Sequence, residues 1–337
     1  MRIADFSRAV AKAVAGAGCT LALVLAPAIA LAQPAPAAPA AGAPVAAAAP
    51  VAAAAPAADA APAKPAADAY VPMRPTPGKG QPTPGAIGFQ DQYSPIGVTG
   101  LAMHDALLMP IITFISLFVL VLLLYVMARF NRRANPVATR TSHNTTIEVV
   151  WTLIPVIILV IIAVPSIRLL AQQYRAPAKG AVTVKVTGYQ WYWGYTYPDN
   201  GGFEVVSNIL PPGEAAKRGE QEQLAVDNRM VVPAGEDIRI QTTGSDVIHS
   251  FSVPSLWFKL DAIPGRINEK VMHINEPGVY YGQCTELCGV RHGYMPIVVE
   301  ALPRAKFEAW VKAQGGTVGA PAKTTAVAAA PTAKPAA

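Results

Sequence analysis

The chain has 337 residues, 52% of them apolar and 14% charged, and a formal net charge of +6. That length allows two domains. The positive charge sits in the N-terminal segment, in a linker and around two hydrophobic runs; Ala176 to Ala313 carries 13 Lys+Arg against 15 Asp+Glu, and neither charge nor motif points to nucleic acid. Arg2, Arg8 and Lys12 precede an apolar run from Thr20 to Leu31, and Ala30-Leu31-Ala32 fits a small-residue cleavage site. Residues 1–32 are expected to be a signal peptide, so that the mature chain begins at Gln33 and loses Cys19, one of three cysteines. Residues 33–85 and 315–337 are rich in Ala and Pro. Such segments cannot bury a core and are expected to be disordered.

A two-helix transmembrane hairpin is expected over residues 86–178. Leu107 to Met127 has no charged residue, and a second apolar run covers about 149–168, with Pro155 and Pro165 inside it. Roughly 20 apolar residues cross a bilayer, and proline is tolerated where neighbours satisfy the freed backbone. Arg129, Arg132, Arg133 and Arg140 lie between the runs. By the positive-inside rule this loop faces the cytoplasm. Both mature ends then lie on the outer, periplasmic side of a bacterial inner membrane.

From Ala181 the pattern changes to period two, with Val182, Val184 and Val186 on one strand face. Further strands are expected at 237–242, 248–253, 270–274, 279–283 and 297–301. Short strands broken by Pro, Gly and Asn predict an antiparallel β-sandwich or barrel over 179–314. Pro303 should open a short helix with Phe307, Trp310 and Val311 on its inner side. Alternation places Trp191, Trp193, Tyr195 and Tyr197 on one face of a strand and Tyr192 on the other.

One stretch concentrates the chemistry. Cys284-Thr285-Glu286-Leu287-Cys288-Gly289-Val290-Arg291-His292-Gly293-Tyr294-Met295 places two thiols, an imidazole and a thioether in twelve residues, with His249 upstream. Soft ligands of these types select copper. A mononuclear blue-copper site needs one Cys, two His and one Met, so one Cys is in excess. Two bridging thiolates could serve two copper ions, each with one His and one weak ligand, Met295 or a backbone carbonyl. A disulfide or a structural zinc site are the alternatives, and zinc has no use for Met295.

Tyr281 through Pro296 resembles the dinuclear copper loop of subunit 2 of haem–copper cytochrome c oxidase. Gln190-Trp191-Tyr192-Trp193, Asp246-Val247-Ile248-His249-Ser250-Phe251 and Asp261-Ala262-Ile263-Pro264-Gly265-Arg266 resemble the same family, and the likeness covers about residues 90–312. It implies an α+β membrane protein in which the hairpin is followed by a periplasmic cupredoxin-like domain. It implies copper ligands His249, Cys284, Cys288, His292 and Met295 and the Glu286 carbonyl, with the Glu286 carboxylate reaching a magnesium ion shared with the catalytic subunit. Trp191 would be the electron entry point, Asp199 and Asp246 would help dock cytochrome c, and Glu148 would stand at the mouth of a proton path in the partner. Gly201 and Gly202 stand where some relatives have acids, which puts the docking patch in doubt. The implied partners are the catalytic subunit, further oxidase subunits and cytochrome c, and no haem is expected in this chain. A quinol oxidase subunit would lack the copper ligands. A copper-delivery protein would need an open site, and an oxidase for nitrogen oxides would not explain the paired spans and Glu148.

Overall fold

The computed structural model describes residues 70–319. The expected signal peptide, linker residues 33–69 and tail residues 320–337 lie outside them. Helix α1 (Pro95–Met103) starts at Ser94, whose Oγ accepts from Gly97 N–H at 2.9 Å and donates to the Leu256 carbonyl at 2.7 Å. One hydroxyl thus caps the helix and ties it to the β domain. A π-helical turn, His104–Leu108, leads into α2 (Met109–Arg129). Helix α3 (Thr145–Gln173) begins with a reciprocal cap: Asn144 Oδ1 accepts from Ile147 N–H and Glu148 Oε1 accepts from Asn144 N–H, both at 3.1 Å.

The expected spans fall inside these helices. At 1.5 Å per residue α3 is about 44 Å long, more than the roughly 30 Å of bilayer hydrocarbon. Phe114, Leu123, Leu153 and Leu159 are among the apolar side chains exposed along the two long helices, a surface suited to lipid or a neighbouring subunit. The end of α3 is locked to the β domain. Arg175 makes two bonds of 2.6 Å to Asp237, His273 Nδ1 lies 3.0 Å from the same carboxylate, and Lys270 donates to Gln173 at 3.1 Å.

Among the described residues, ten strands form two sheets: β1 (Val182–Tyr189), β2 (Tyr192–Thr196), β3 (Glu204–Ser207), β4 (Met230–Pro233), β5 (Asp237–Gly244), β6 (His249–Val253), β7 (Phe258–Ala262), β8 (Asn268–His273), β9 (Gly278–Cys284) and β10 (Pro296–Leu302). The first sheet has the order β3-β2-β1-β5-β8 and the second β4-β10-β9-β6-β7. The sandwich is mixed rather than antiparallel, because β1 pairs parallel with β5 and β4 with β10. Parallel neighbours need long crossovers, and the intervening strands supply them. Strand alternation buries Val184, Val186, Trp193, Tyr195, Tyr197, Ile238 and Ile240 between the sheets. After the one-turn helix α4 (Glu214–Lys217) and the strands, α5 (Arg304–Ala313) closes one end by burying Phe307, Trp310 and Val311.

Three further expectations are corrected. Residues 70–85 are not loose linker: Tyr70 Oη and Met73 N–H donate to Glu300 at 2.7 and 2.8 Å, and Gly80 O accepts from Tyr281 N–H at 2.7 Å. These bonds hold the segment on the β domain although its composition is poor in apolar groups. The start of the tail is also fixed, with Thr317 N–H donating to Asn200 O at 2.9 Å. Trp191 leaves the alternating face, because β2 begins only at Tyr192 and Trp191 sits in the preceding turn.

Candidate metal centre

Strand pairing assembles the ligands. Phe251 on β6 lies opposite Cys284 on β9, and Pro296 on β10 lies opposite Gln283. The stretch from Cys284 to Met295 is therefore a hairpin connection held at both ends by sheet, and His249 at the start of β6 comes up beside it. The Cys284 and Cys288 sulfurs are free thiols 3.9 Å apart. Cys288 Sγ is 3.5 Å from Met295 Sδ and 3.6 Å from His292 Nδ1, and the Glu286 carbonyl oxygen lies 3.3 Å from Cys284 Sγ. The ligand atoms of His249, Cys284 and Cys288 lie within 4.8 Å of one another.

The polar balance of this pocket is incomplete without a metal. His249 is fully buried; its Nε2 is 2.9 Å from Asp246 Oδ1, but Nδ1 is buried with no hydrogen-bond partner. Buried polar atoms are rarely left unpaired, and a ring nitrogen whose partner nitrogen is fixed by a carboxylate is the usual arrangement of a metal-bound histidine. Burial raises the Cys284 thiol, but the nearby His249 imidazole and the backbone around Ser250 and Glu286 outweigh it and hold it below the usual thiol range. Burial and the charge of Cys284 push Cys288 up. The two thiols are thus pushed in opposite directions in this pocket; bound cations would favour the thiolate form of both. A thioether and a carbonyl beside two thiolates and two imidazoles suit copper better than the tetrahedral N/S shell of structural zinc.

Asp246 holds more than His249. Its Oδ2 accepts from Gln190 N–H at 2.8 Å and its Oδ1 from Val247 N–H at 2.6 Å. Burial would raise its pKa, but His249 and these two amides win and lower it. Half-buried Trp191 donates from Nε1 to the Cys288 carbonyl at 3.1 Å. It packs on Gly289, where φ is +120° and a Cβ would come 2.9 Å from the indole, so both backbone and space call for glycine. Glu286 exposes its side chain on the loop.

Two expected residues lie elsewhere. Asp199 accepts from Thr183 N–H at 2.9 Å, at the end of β1 opposite Gly188, whose missing Cβ makes room for the His249 ring. Five residues of strand separate the two ends by about 16 Å. Asp199 therefore lies at the opposite end of β1 from Trp191 and Asp246, a separation that one protein-docking surface can span. Glu148 is at the far end of α3, about 38 Å of helix from Gln173. One contributor escaped the sequence reading. Trp193 donates to the Met295 carbonyl at 3.1 Å and sets its ring edge-on to His249 at 5.9 Å; its place in the aromatic motif was the available signal.

Comparison with known proteins gives a consistent result. Residues 182–302 match the family model for the periplasmic domain of cytochrome c oxidase subunit II, and residues 82–169 match that for its transmembrane domain. A probable cytochrome c oxidase subunit 2 of Rickettsia bellii is 50% identical over 231 residues, covering 68% of this chain and 85% of that protein. Cytochrome c oxidase subunit 2 of Cereibacter sphaeroides is 41% identical over 255 residues, covering 71% and 84%. The crystal structure of the periplasmic domain of subunit II of cytochrome oxidase of Bradyrhizobium japonicum is 44% identical, with a TM-score of 0.38, covering 42% of this chain and 97% of that one.

Proposed function

The chain belongs to the cytochrome c oxidase subunit II family, a membrane protein with a periplasmic domain, and on that premise we propose that it is the electron-entry subunit of its oxidase. It takes electrons from cytochrome c outside the membrane and delivers them to haem in the catalytic subunit, where oxygen is reduced to water and protons are pumped. The observation that carries this reading is the His249, Cys284 and Cys288 cluster with its unpaired Nδ1. His249, Cys284, Cys288, His292, Met295 and the Glu286 carbonyl would hold two copper ions. Bound there, copper would supply a one-electron couple shared over both ions.

The remaining work falls to the chain. Trp191 offers the donor an aromatic face and is bonded directly to a ligand residue, a short route inward. Asp246 combines ligand orientation with a partly exposed carboxylate that would steer a basic partner. The exposed Glu286 carboxylate is free to reach magnesium at the catalytic subunit, a hard-oxygen role; unchanged magnesium content after Glu286→Gln would remove it. The arginine-rich loop supports an orientation with the start of α3 in the cytoplasm of a bacterial cell and both ends of the mature chain in the periplasm. Glu148 then stands where protons enter the partner, and full oxygen consumption after Glu148→Gln would leave it a helix cap alone. The domain limits follow the same reading: hairpin to about residue 178, copper domain to about 314.

The purified oxidase should contain two coppers in this chain, with a paramagnetic spectrum of one electron shared over two nuclei. Trp191→Phe should preserve that spectrum and slow copper reduction by cytochrome c by orders of magnitude. One copper, or zinc preferred over copper, would overturn the dinuclear reading. Wild-type reduction rates in the variant would make Trp191 a packing residue.

A further inference from the structure

Strand β9 carries two neighbouring polar residues to the ligand loop, Gln283 and Cys284. Alternation points them to opposite faces, so Gln283 does not face the sulfur cluster. Its carboxamide instead reaches around the hairpin, and Nε2 donates to the Gly293 carbonyl at 2.7 Å. Gly293 directly follows His292. The other amide atom, Oε1, is buried with no hydrogen-bond partner. Turning the amide over would set its oxygen against the Gly293 oxygen, so the bond to Gly293 dictates the orientation.

The turn from Gly289 to Tyr294 is held internally only by short-range bonds, His292 N–H to Gly289 O at 3.1 Å and Tyr294 N–H to Arg291 O at 2.9 Å. Two indoles fix the loop on either side of it: Trp191 holds the Cys288 carbonyl and Trp193 the Met295 carbonyl. Gln283 supplies the third donor, at the turn that carries His292. His292 is only half-buried, and its ring nitrogen Nδ1 lies 3.6 Å from the Cys288 sulfur.

We propose that Gln283 is a positioning residue for His292: its side-chain N–H pins the Gly293 carbonyl to the sheet and so sets the direction from which the imidazole meets the thiol pair. The inference rests on the copper reading above. Residues that orient ligands from behind tune both metal retention and electronic structure.

The test compares the assembled wild-type oxidase with Gln283→Glu, which keeps the shape and removes the donor, and Gln283→Leu, which removes all polarity. Copper per complex, the paramagnetic hyperfine pattern, the midpoint potential of the copper site and the rate of copper loss to a chelator are measured, with the haem spectrum reporting assembly. Both variants should assemble, lose copper about 10-fold faster than wild type, and show a shifted potential and hyperfine pattern. Wild-type spectrum, potential and copper retention in both variants would overturn the proposal. Failure of both to assemble would also overturn it, by making Gln283 a folding residue. Absence of copper from the wild type itself would be a separate result, against the functional reading.

Discussion

Two regions of the β domain bury ionisable groups, and they do so in opposite ways. At one, Arg229 bridges Glu300 at 2.7 Å and Glu220 at 2.9 Å, with side-chain exposures of 8%, 0% and 2%. Tyr70 and the Met73 amide complete Glu300, Tyr281 completes Glu220, and the Met73 carbonyl accepts from Arg229. No side-chain polar atom of these three charged residues is among the buried unpaired ones. At the other, His249 Nδ1 has no partner and the charge of Cys284 disfavours ionisation of Cys288. A closed network is what structural burial of charge demands. An open one, where the unpaired nitrogen stands within ligand distance of two thiols, marks a place where an external cation completes the account. The difference separates a clasp from a ligand site without reference to any relative.

The largest effect should come from opening the closed network. Arg229→Met leaves two buried carboxylates unpaired, a loss of about 3–5 kcal/mol or about 10 °C in the melting temperature of a domain this size. Thermal unfolding of the purified oxidase measures it, and copper should be lost together with the fold. A variant as stable as wild type would show that the cluster is not a clasp. The contrast sharpens at Asp246. Asp246→Asn disturbs the ligand site alone, so copper retention should fall about 10-fold or more while unfolding of the copper-free domain hardly changes. The salt dependence of the Michaelis constant for cytochrome c should flatten as well, since one screened charge is gone. Equal destabilisation of the copper-free fold would erase the distinction between the two regions.

The smallest effect is expected at the junction with α3. Burial raises Asp237, but His273 and Arg175 outweigh it and hold the carboxyl well below its ordinary range. The folded form therefore binds its proton less readily than the unfolded chain, whose aspartates titrate near 3.9. The resulting stability is present above about pH 4 and is lost as pH falls toward the lower folded value. Arg175 is partly exposed, so Asp237→Asn should cost only about 1 kcal/mol at neutral pH and flatten the acid limb of unfolding. Identical acid limbs in the two proteins would remove Asp237 from the pH response.

Much of this protein was written locally. Charge-free runs of spanning length, the Val182-Val184-Val186 alternation and the Phe307, Trp310 and Val311 stripe each depend on neighbours within one element, and each element formed as its pattern dictates. The ligand types in Cys284 to Met295 sit within twelve residues, so their chemistry could be read without a fold. Strands β3, β4 and β7 could not be read that way. They are four or five residues long, and their pairing partners rather than any period make them strands. The parallel β1–β5 and β4–β10 pairs were equally invisible, since direction is a property of crossovers. Tertiary structure alone decided that His249 stands beside Cys284, that Asp246 grips its ring, that Asp199 and Trp191 lie at opposite ends of β1, and that residues 70–85 are tied down by Glu300 and Tyr281. Side-chain period is a one-dimensional signal; hydrogen bonds such as Gln190–Asp246, 56 positions apart, and Tyr70–Glu300, 230 apart, exist only once the sheets have set their register.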